Sequence, residues 1–313
     1  MIITVTLNPA VDKTAVIPHF RAGEVNRVTE LRMDAGGKGV NVSKVLAGLG
    51  IENTATGICG GATGQFILDS LRQLGVHTDF VCCAAATRTN LKIADPAGGT
   101  TDINEPGAPV TAEQLCAFTE KLTAMTAQGD MVVFSGSLPP GTPPEFYAEL
   151  IRQCRKQGAR TLVDTSGEAL RQAAQAVPYI LKPNLEELHQ LTGESIVSDD
   201  GIVRACRPFL ERGTALMAVT LGGSGAVLVT HADAFRADAL SVTVRSTVGS
   251  GDAFAAAMAA CVQRGAGDEE TLAYAMAAGA VNATTCGTAV PDGARIREMA
   301  EQVRVRRISG QQV

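Results

Sequence analysis

A glycine-rich turn precedes the most apolar helical segment of the chain. The turn reads Thr247-Val-Gly-Ser-Gly-Asp-Ala-Phe254, and the small apolar residues that follow predict a helix over Asp252–Arg264. Glycine permits positive φ angles and close approach of a ligand, and the unpaired N–H groups of a helix N-terminus suit phosphate. The turn therefore predicts an anion site with Asp252 at its mouth. The alternative is that Asp252 only caps the helix, a common role for aspartate.

A second glycine loop opens another predicted helix and reads Asp34-Ala-Gly-Gly-Lys-Gly-Val-Asn41. It places the cation of Lys38 where a ligand can approach the backbone, with Asn41 one turn further on. The loop lacks the GxxxxGK[ST] spacing of a Walker A motif. The alternative is an ordinary helix start with a solvated lysine, which three glycines in four residues make less attractive.

Polar residues also follow other predicted strands. Asp12 comes after the first strand, where a carboxylate can accept hydrogen bonds from sugar hydroxyls. Taken alone, an aspartate at this position favours the interpretation as a turn residue. Glu187, in Lys182-Pro-Asn-Leu-Glu-Glu-Leu188, could help to hold Mg²⁺ or serve only as an acidic first turn. The loops Leu221-Gly-Gly-Ser-Gly225 and Ser135–Gly141 follow buried strands, and the first is equally consistent with a plain hairpin.

Short apolar segments alternate with helical ones, which predicts an α/β fold with a mostly parallel central sheet flanked by helices. Strands are predicted at Ile2–Leu7, Asn53–Ile58, Met131–Phe134, Thr161–Asp164, Tyr179–Lys182, Leu216–Leu221 and Gly225–Thr230, and helices at Val40–Leu49, Glu145–Gln157, Asp252–Arg264 and Thr271–Thr285. No internal repeat, low-complexity tract or linker interrupts the pattern. The length of the chain suggests one large or two ordinary domains.

Two segments depart from this alternation. Residues 14–33 and 87–104 are more polar and alternate with period two, and neither has a helical partner of its own. We interpret them as antiparallel strands inserted into the α/β body, forming a small sheet that covers a site. The alternative is two long surface connections.

The composition excludes several classes of protein. A hydrophobic share of 45% with 19% charged residues over 313 residues excludes intrinsic disorder. The net charge of −5 without a basic stripe argues against nucleic-acid binding, and no apolar stretch is long enough to span a membrane. The eight cysteines are scattered, which favours a reducing cytoplasm. The four histidines lie outside the glycine loops, so neither a histidine-based hydrolase nor a zinc site is expected.

Taken together and in this order, the motifs resemble those of the ribokinase-like PfkB family of sugar kinases. The most specific are Ser246–Phe254 and Gly36–Val42, and Ser135–Gly141, Lys182–Leu188 and Thr220–Gly225 lie between them. The resemblance implies a ribokinase-like fold that forms a single catalytic domain over residues 1–313, with an inserted lid formed by residues 14–33 and 87–104. It also implies ATP and Mg²⁺ as cofactors. In relatives such a lid often pairs between two chains, which implies a possible homodimer.

Within that family, the start Thr6-Leu-Asn-Pro-Ala-Val-Asp12 resembles the kinases of hexose phosphates. Arg88-Thr-Asn-Leu-Lys-Ile93 and Thr101–Gly107 are most similar to those that act on D-fructose 1-phosphate. The resemblance implies phosphorylation of its 6-hydroxyl by ATP, giving fructose 1,6-bisphosphate and ADP. Tagatose 6-phosphate and fructose 6-phosphate are the alternative substrates. An alternative of a different class is a non-catalytic regulator that binds sugar phosphates.

The resemblance also implies roles for individual residues. Asp252 would be the catalytic base, and the backbone of Gly249, Ser250 and Gly251 would form the anion hole. The residues that would bind the sugar phosphate are Asp12, Gly37 and Asn41 at its hydroxyls, Lys38, Arg88 and Arg27 at its phosphate, and Ser137. Those that would border the nucleotide are Lys182, Asn184, Thr220, Gly222, Gly223, Gly225 and Asn282, with Glu187 placing Mg²⁺.

Overall fold

The computed structural model describes residues 1–285 and 290–308, which contain fourteen strands and ten α-helices. The strands are β1 (Ile2–Thr6), β2 (Ala10–Val16), β3 (Glu30–Gly36), β4 (Asn53–Gly60), β5 (His77–Cys83), β6 (Arg88–Asp95), β7 (Gly99–Asn104), β8 (Met131–Ser135), β9 (Arg160–Asp164), β10 (Ile180–Leu181), β11 (Leu216–Thr220), β12 (Ala226–Val229), β13 (Ala234–Ala237) and β14 (Val305–Arg307). The helices are α1 (Lys38–Gly48), α2 (Gly61–Gln73), α3 (Ala112–Met125), α4 (Phe146–Lys156), α5 (Gly167–Gln175), α6 (Leu185–Thr192), α7 (Asp199–Glu211), α8 (Ser250–Gln263), α9 (Asp268–Ala283) and α10 (Gly293–Ala300).

The central sheet has ten strands in the order β14-β13-β12-β11-β10-β9-β8-β1-β4-β5. The seven strands from β11 to β5 run parallel, and β12, β13 and β14 add an antiparallel edge. The predicted mostly parallel sheet flanked by helices is therefore confirmed. Among the described residues, no helix is both long enough and apolar enough to cross a bilayer.

Successive apolar residues of the central strands pack on opposite faces of the sheet. Val132 belongs to a core with α3, α4, α5 and α7, whereas its neighbour Val133 belongs to a core with α1, α8 and α9. Strands buried on both faces read as continuous apolar runs, which is why Met131–Phe134 was predicted as a strand. The seven described cysteines are free, and Cys286 lies outside the described residues.

A second, small sheet has the order β3-β2-β6-β7 and contains both segments that broke the α/β alternation. The strands of the first segment, β2 and β3, begin at Ala10 and end at Gly36. The predicted bounds, 14 and 33, therefore began four residues too late and ended three residues too early. The prediction of wholly antiparallel strands was wrong for one pair, because β2 and β6 run parallel. Parallel neighbours need a long connection, and the stretch from α1 to β5 provides it.

Candidate active site

The turn before α8 adopts a conformation that favours glycine. Gly249 is the N-cap residue of the helix with φ of 81°, in the left-handed region, where a Cβ atom is strained. No side chain caps this helix, so Asp252 is not the N-cap residue and the capping alternative is wrong. The backbone N–H of Ser250 donates to the Thr247 carbonyl within the turn, which leaves Gly249 and Gly251 as the better anion donors.

Asp252 is a buried carboxylate whose surroundings oppose its ionisation. It is 6% exposed, and its Oδ2 atom accepts a hydrogen bond from Asn41 Nδ2 at 2.8 Å. Burial, together with the negative charge of Asp164, raises its pKa to about 6, although Lys38, Asn41 and Lys182 act in the opposite direction. A carboxylate with such a pKa is mostly ionised at neutral pH and still accepts a proton readily.

A carboxylate–lysine cluster lies beside Asp252. Asp164, the last residue of β9, accepts a hydrogen bond from Lys38 Nζ at 2.9 Å, and Lys182 Nζ lies 3.1 Å from its other oxygen. The negative charge of Asp164 raises the pKa of Lys38. Burial opposes ionisation of Asp164, but the two lysines outweigh burial and lower its pKa. The sequence analysis missed Asp164, although an aspartate at the carboxyl end of a predicted strand was the same signal as for Asp12.

The small sheet contributes a row of polar side chains to the site. Cross-strand pairing aligns Asp12 with Asp34, Asn90 and, through Asn90, Asn104. Asp12 accepts a hydrogen bond from Asn90 Nδ2 at 2.9 Å, and burial raises its pKa. A Cβ atom at Gly36 would lie 2.1 Å from the Asp12 carboxylate, so a larger residue at this position would displace the Asp12 side chain.

A second polar row lies two residues away along the same strands, on the same face of the sheet, and consists of Arg32, Thr14, Lys92 and Asp102. Arg32 Nε donates to Asp34 at 2.7 Å, and Lys92 pairs with Asp102 at 3.0 Å. Both rows line the main cavity. Asn90, Arg32 and Lys92 were missed in the sequence, because the directions of side chains on an inserted strand depend on its register.

The main cavity, of about 450 Å³, brings most of the predicted site residues together. A neighbouring cavity of about 340 Å³ has a mostly apolar lining that includes Leu240, Val242, Val244 and Met276. Thr220 and Gly251 line both cavities, so the two spaces meet at the turn before α8. The predicted residues that line the main cavity are Asp12, Gly37, Lys38, Asn41, Arg88, Lys182, Asn184, Glu187, Thr220, Gly249, Gly251 and Asp252. Those that line the neighbouring one are Thr220, Gly222, Gly223, Gly225, Ser250 and Gly251.

Comparison with known proteins identifies the family. A model of the pfkB family of carbohydrate kinases matches residues 3–294. The chain belongs to this family. It is 40% identical over 309 residues to the 1-phosphofructokinase of Rhodobacter capsulatus, with 97% of each chain covered.

Solved structures agree with the family. The crystal structure of phosphofructokinase-2 from Escherichia coli in complex with substrates and products matches with a TM-score of 0.91 and 31% identity, covering 96% of this chain and 98% of that one. The tetrameric inhibited form of the same enzyme matches with a TM-score of 0.89 and 30% identity over the same shares of the two chains. The predicted ribokinase-like fold and kinase activity are thus confirmed, and the predicted cofactors ATP and Mg²⁺ accord with the family.

Three predicted site residues of this kinase line neither cavity. Arg27 is exposed on the connection between β2 and β3. Ser137 is exposed, and its Oγ atom accepts a hydrogen bond from Asn8 at 3.3 Å. Asn282 is buried, and its Nδ2 atom donates to the Val248 carbonyl at 2.8 Å. Asn282 therefore supports the turn before α8, and its place near the adenine stays a prediction.

Arg88 lies in the main cavity, but its guanidinium group is already partly used. Nη1 donates to the Glu105 carbonyl at 2.8 Å and Nη2 to the Asn8 carbonyl at 3.1 Å. These bonds tie β6 to the chain that follows β1 and β7. These two bonds use two of the five N–H groups of the guanidinium, and Nε is buried without a hydrogen-bond partner among the described residues.

Glu187 and Asn184 form a reciprocal cap at the start of α6. Each backbone N–H donates to the other residue's side chain at 2.8 Å, and Asn184 also bridges to Thr220. No group of three or more potential metal ligands occurs within the described residues. Mg²⁺ usually keeps several waters and takes few protein carboxylates besides substrate phosphates. The cavity-facing Glu187 therefore fits a magnesium ion that is held mainly by water and by the nucleotide.

Proposed function

We propose that the kinase transfers the γ-phosphoryl group of ATP to the 6-hydroxyl of D-fructose 1-phosphate, giving fructose 1,6-bisphosphate and ADP. The observation that carries this proposal is the 40% identity to a 1-phosphofructokinase over 97% of both chains. The site is consistent with it, because a buried Asp252 lies where a polar, cation-lined cavity meets an apolar one. We infer that residues 1–313 act as one catalytic domain, with the small sheet as its lid.

In the proposed mechanism Asp252 orients the acceptor hydroxyl and receives its proton. As the new bond from the sugar oxygen to the γ-phosphorus forms, the bond between that phosphorus and the β,γ-bridging oxygen breaks. The transition state of phosphoryl transfer is loose, so the proton moves late and Asp252 need not deprotonate the alcohol in advance. The N–H groups of Gly249 and Gly251, with Ser250 less directly, stabilise negative charge on the transferring group.

Two unpaired polar atoms support the sugar-binding role of the main cavity. Asn41 Oδ1 and Asn90 Oδ1 are buried and have no hydrogen-bond partner among the described residues. An unsatisfied buried polar atom costs about 1–3 kcal/mol, so a ligand with hydroxyl groups would relieve this cost. We propose that Asn41, Asn90, Asp12 and the Gly37 backbone hold the sugar hydroxyls.

The cations of the cavity divide into two groups. Lys38 is fixed beside Asp164 near Asp252, so we place its ammonium group near the transferring phosphoryl group. Arg88 lines the cavity from the small sheet and has N–H groups that its bonds to the Glu105 and Asn8 carbonyls do not use. We propose that Arg88 binds the phosphate that the sugar already carries. Ser137 is linked to Arg88 through Asn8, which hydrogen-bonds to both residues. Ser137 and Arg27 would reach the sugar phosphate only if the small sheet moves.

The apolar cavity fits the adenine of ATP. Its walls include Val242, Val244 and Met276, and the loop from Gly222 to Gly225 forms its rim. We propose that this loop, Thr220 and Asn184 border the nucleotide, that Lys182 contacts its phosphates, and that Glu187 helps to place Mg²⁺. The metal ion would neutralise charge on the β- and γ-phosphates.

The outward face of the small sheet supports a dimer. Leu31 and Met33 on the edge strand β3 are 51% and 45% exposed, and Ile103 on the opposite edge strand β7 is 51% exposed; exposed apolar side chains on one face are typical of an interaction site. We propose a homodimer that pairs these sheets. The related Escherichia coli enzyme has a tetrameric form. We also propose a cytoplasmic location, which agrees with the free described cysteines.

The position of the transferred phosphate tests the proposal. Fructose 1-phosphate is incubated with ATP and the enzyme, and phosphorus–carbon couplings in the NMR spectrum locate the new phosphate. We expect it on carbon 6, with one ADP formed per product. Phosphate on another carbon, or ATP hydrolysis without a sugar product, would contradict the proposal. Absence of ADP formation with every ketohexose phosphate would favour the non-catalytic regulator.

A further inference from the structure

Asp164 lies at the edge of the main cavity, and the mechanism above gives it no role. Its side chain is only 1% exposed. One oxygen lies 2.9 Å from Lys38 Nζ and the other lies 3.1 Å from Lys182 Nζ. A single buried carboxylate therefore holds two ammonium groups, one on each oxygen.

The two lysines approach Asp164 from different parts of the site. Lys38 is the first residue of α1 and follows the glycine loop that we assign to the sugar. Lys182 follows β10, and its Nζ atom lies 3.8 Å from the position of a Cβ atom built on Gly251. With the sugar and the nucleotide bound as proposed above, the ammonium group of Lys38 would lie on the acceptor side of the turn before α8 and that of Lys182 on the donor side.

We propose that Asp164 is a positioning residue for phosphoryl transfer, which keeps Lys38 on the acceptor side and Lys182 on the donor side of the transferring group. This inference rests on the function proposed above and deepens it. A lysine side chain has several rotatable bonds, and fixing it costs conformational entropy. Asp164 fixes both side chains before substrate binds, which is the arrangement that makes electrostatic stabilisation effective.

Asp164 also keeps the lysines from pairing with the catalytic base. Asp252 interacts with four charged groups of the surrounding elements, namely Asp164, Lys38, Lys182 and Lys44. If Asp164 were neutral, the nearest negative charge available to both ammonium groups would be the Asp252 carboxylate. An ion pair there would lower the pKa of Asp252 and block its access to the acceptor hydroxyl.

The first test is a double-mutant cycle on kcat. We expect Asp164→Asn to lower kcat about 100-fold, because it leaves the buried ammonium group of Lys182 and the partly exposed one of Lys38 without their partner. We expect Lys38→Met to lower it as well, and the double variant to lose much less than the product of the two effects. An effect of Asp164→Asn below about threefold, or independent effects that multiply, would overturn the proposal.

The second test is the pH dependence of kcat/KM, which a purely structural role would leave unchanged. Removing the negative charge of Asp164 lowers the pKa of Asp252, so the acid limb of the profile should move to lower pH in Asp164→Asn. The substrate phosphate titrates identically in both proteins and cancels in the comparison. An acid limb at the wild-type position would overturn the proposal.

Asp130→Asn is the matched control. Asp130 is also buried and also holds a cation, the N-terminal ammonium group at 2.8 Å, but it precedes β8 at the opposite edge of the sheet. We expect it to lower the melting temperature without changing kcat or the pH profile. A comparable loss of kcat in Asp130→Asn would mean that any buried ion pair has this effect, and would overturn the specific role of Asp164.

Calorimetric binding of MgATP separates this inference from the proposed function, because it needs no sugar. We expect Asp164→Asn to bind MgATP about tenfold more weakly through its loss of control over Lys182, and unchanged affinity would overturn the inference. If wild type binds MgATP but phosphorylates none of the sugar phosphates, the proposed function fails. The MgATP affinity of Asp164→Asn still tests the role of Asp164 in that case. If Asp164→Asn does not fold, the double variant Asp164→Asn with Lys38→Met, whose net charge equals that of wild type, replaces it. Its MgATP affinity is compared with that of Lys38→Met alone, where weaker binding supports the inference and unchanged binding overturns it.

Discussion

Asn41 Nδ2 donates a 2.8 Å hydrogen bond to the Asp252 carboxylate, joining the first turns of α1 and α8 across 211 residues of sequence. The bond orients the base and stabilises its charged form, so it lowers the pKa of Asp252 against the effect of burial. The other side-chain atom of Asn41, Oδ1, is buried and unpaired among the described residues. One amide can therefore hold the base and bind the acceptor sugar at the same time.

Substitution of Asn41 should shift the pH profile as well as the affinity. In Asn41→Ala the pKa of Asp252 rises, so the acid limb of kcat/KM should move to higher pH, and KM for the sugar phosphate should increase. Steady-state kinetics between pH 5 and pH 8 checks both effects. Asn53→Ala is the control, because Asn53 is equally buried but binds the Ser43 and Ile51 carbonyls. A limb that moves to lower pH would contradict the role of Asn41.

Asp252→Asn should fold and bind MgATP but lose turnover. General-base catalysis contributes about 10²–10⁴-fold, and loss of the orienting charge adds to this factor. Single-turnover kinetics with fructose 1-phosphate measures the loss. Asp268→Asn, in the first turn of the next helix, should keep wild-type kinetics. Turnover of Asp252→Asn within tenfold of wild type would exclude Asp252 as the base.

The same substitution should stabilise the fold above neutral pH. The pKa of Asp252 is about 6 in the folded protein against an ordinary value of 3.8, so the folded state binds the proton more tightly than the unfolded state. The resulting cost is fully present above pH 6 and disappears as the pH falls towards 4. We expect Asp252→Asn to melt a few degrees higher than wild type at pH 8, with a smaller difference at pH 5. A lower melting temperature at pH 8 would contradict the cost of burying this charge.

Gly249→Ala should impair catalysis more than stability alone explains. Left-handed φ costs a residue with a Cβ atom about 1–2 kcal/mol, and relief of that strain would move the anion-binding N–H groups. Gly265→Ala, at the other end of α8 with φ of 77° and open space around it, carries the same strain far from the site. Thermal melts should show similar losses, while kcat should fall only in Gly249→Ala. Equal kcat in both variants would exclude an anion hole at this turn.

Charge on the outward face of the small sheet should prevent dimer formation. Leu31→Glu with Met33→Glu places two carboxylates in the proposed interface, where burial of an unpaired charge is costly. Light scattering after size exclusion should report a dimer for wild type and a monomer for this variant. Val197→Glu is the control, because Val197 is 92% exposed outside the small sheet. A wild-type monomer, or a dimer that survives both charges, would contradict the proposed interface.

The central sheet could be predicted from sequence because its strands are short, apolar and buried on both faces. The pattern at Met131–Phe134, for example, needs no knowledge of the neighbouring strands. The small sheet was harder to delimit, because its alternation shows a strand without showing its partner or direction. The parallel pairing of β2 with β6 depends on how the chain between them crosses the body, which no local pattern contains.

The site followed the same division. Asp252 and Lys38 could be predicted because they stand in glycine loops, where the backbone pattern marks a close approach. Asp164 stands in no glycine loop, and the signal that it shares with Asp12 is its position at the carboxyl end of a strand. It contacts lysines that lie 126 and 18 residues away along the chain, which no local pattern shows. The contact of Asn282 with the Val248 carbonyl could not be predicted, because position on a helix does not give the direction of a side chain.

The most direct test of the proposed function is a comparison of kcat/KM for three sugar phosphates in a coupled assay of ADP formation. Fructose 1-phosphate, fructose 6-phosphate and tagatose 6-phosphate are compared at saturating MgATP, with unphosphorylated fructose as the control. We predict that kcat/KM is highest for fructose 1-phosphate by at least tenfold, and that fructose is a far poorer substrate. A higher kcat/KM for fructose 6-phosphate or tagatose 6-phosphate, or equal turnover of fructose, would contradict the account.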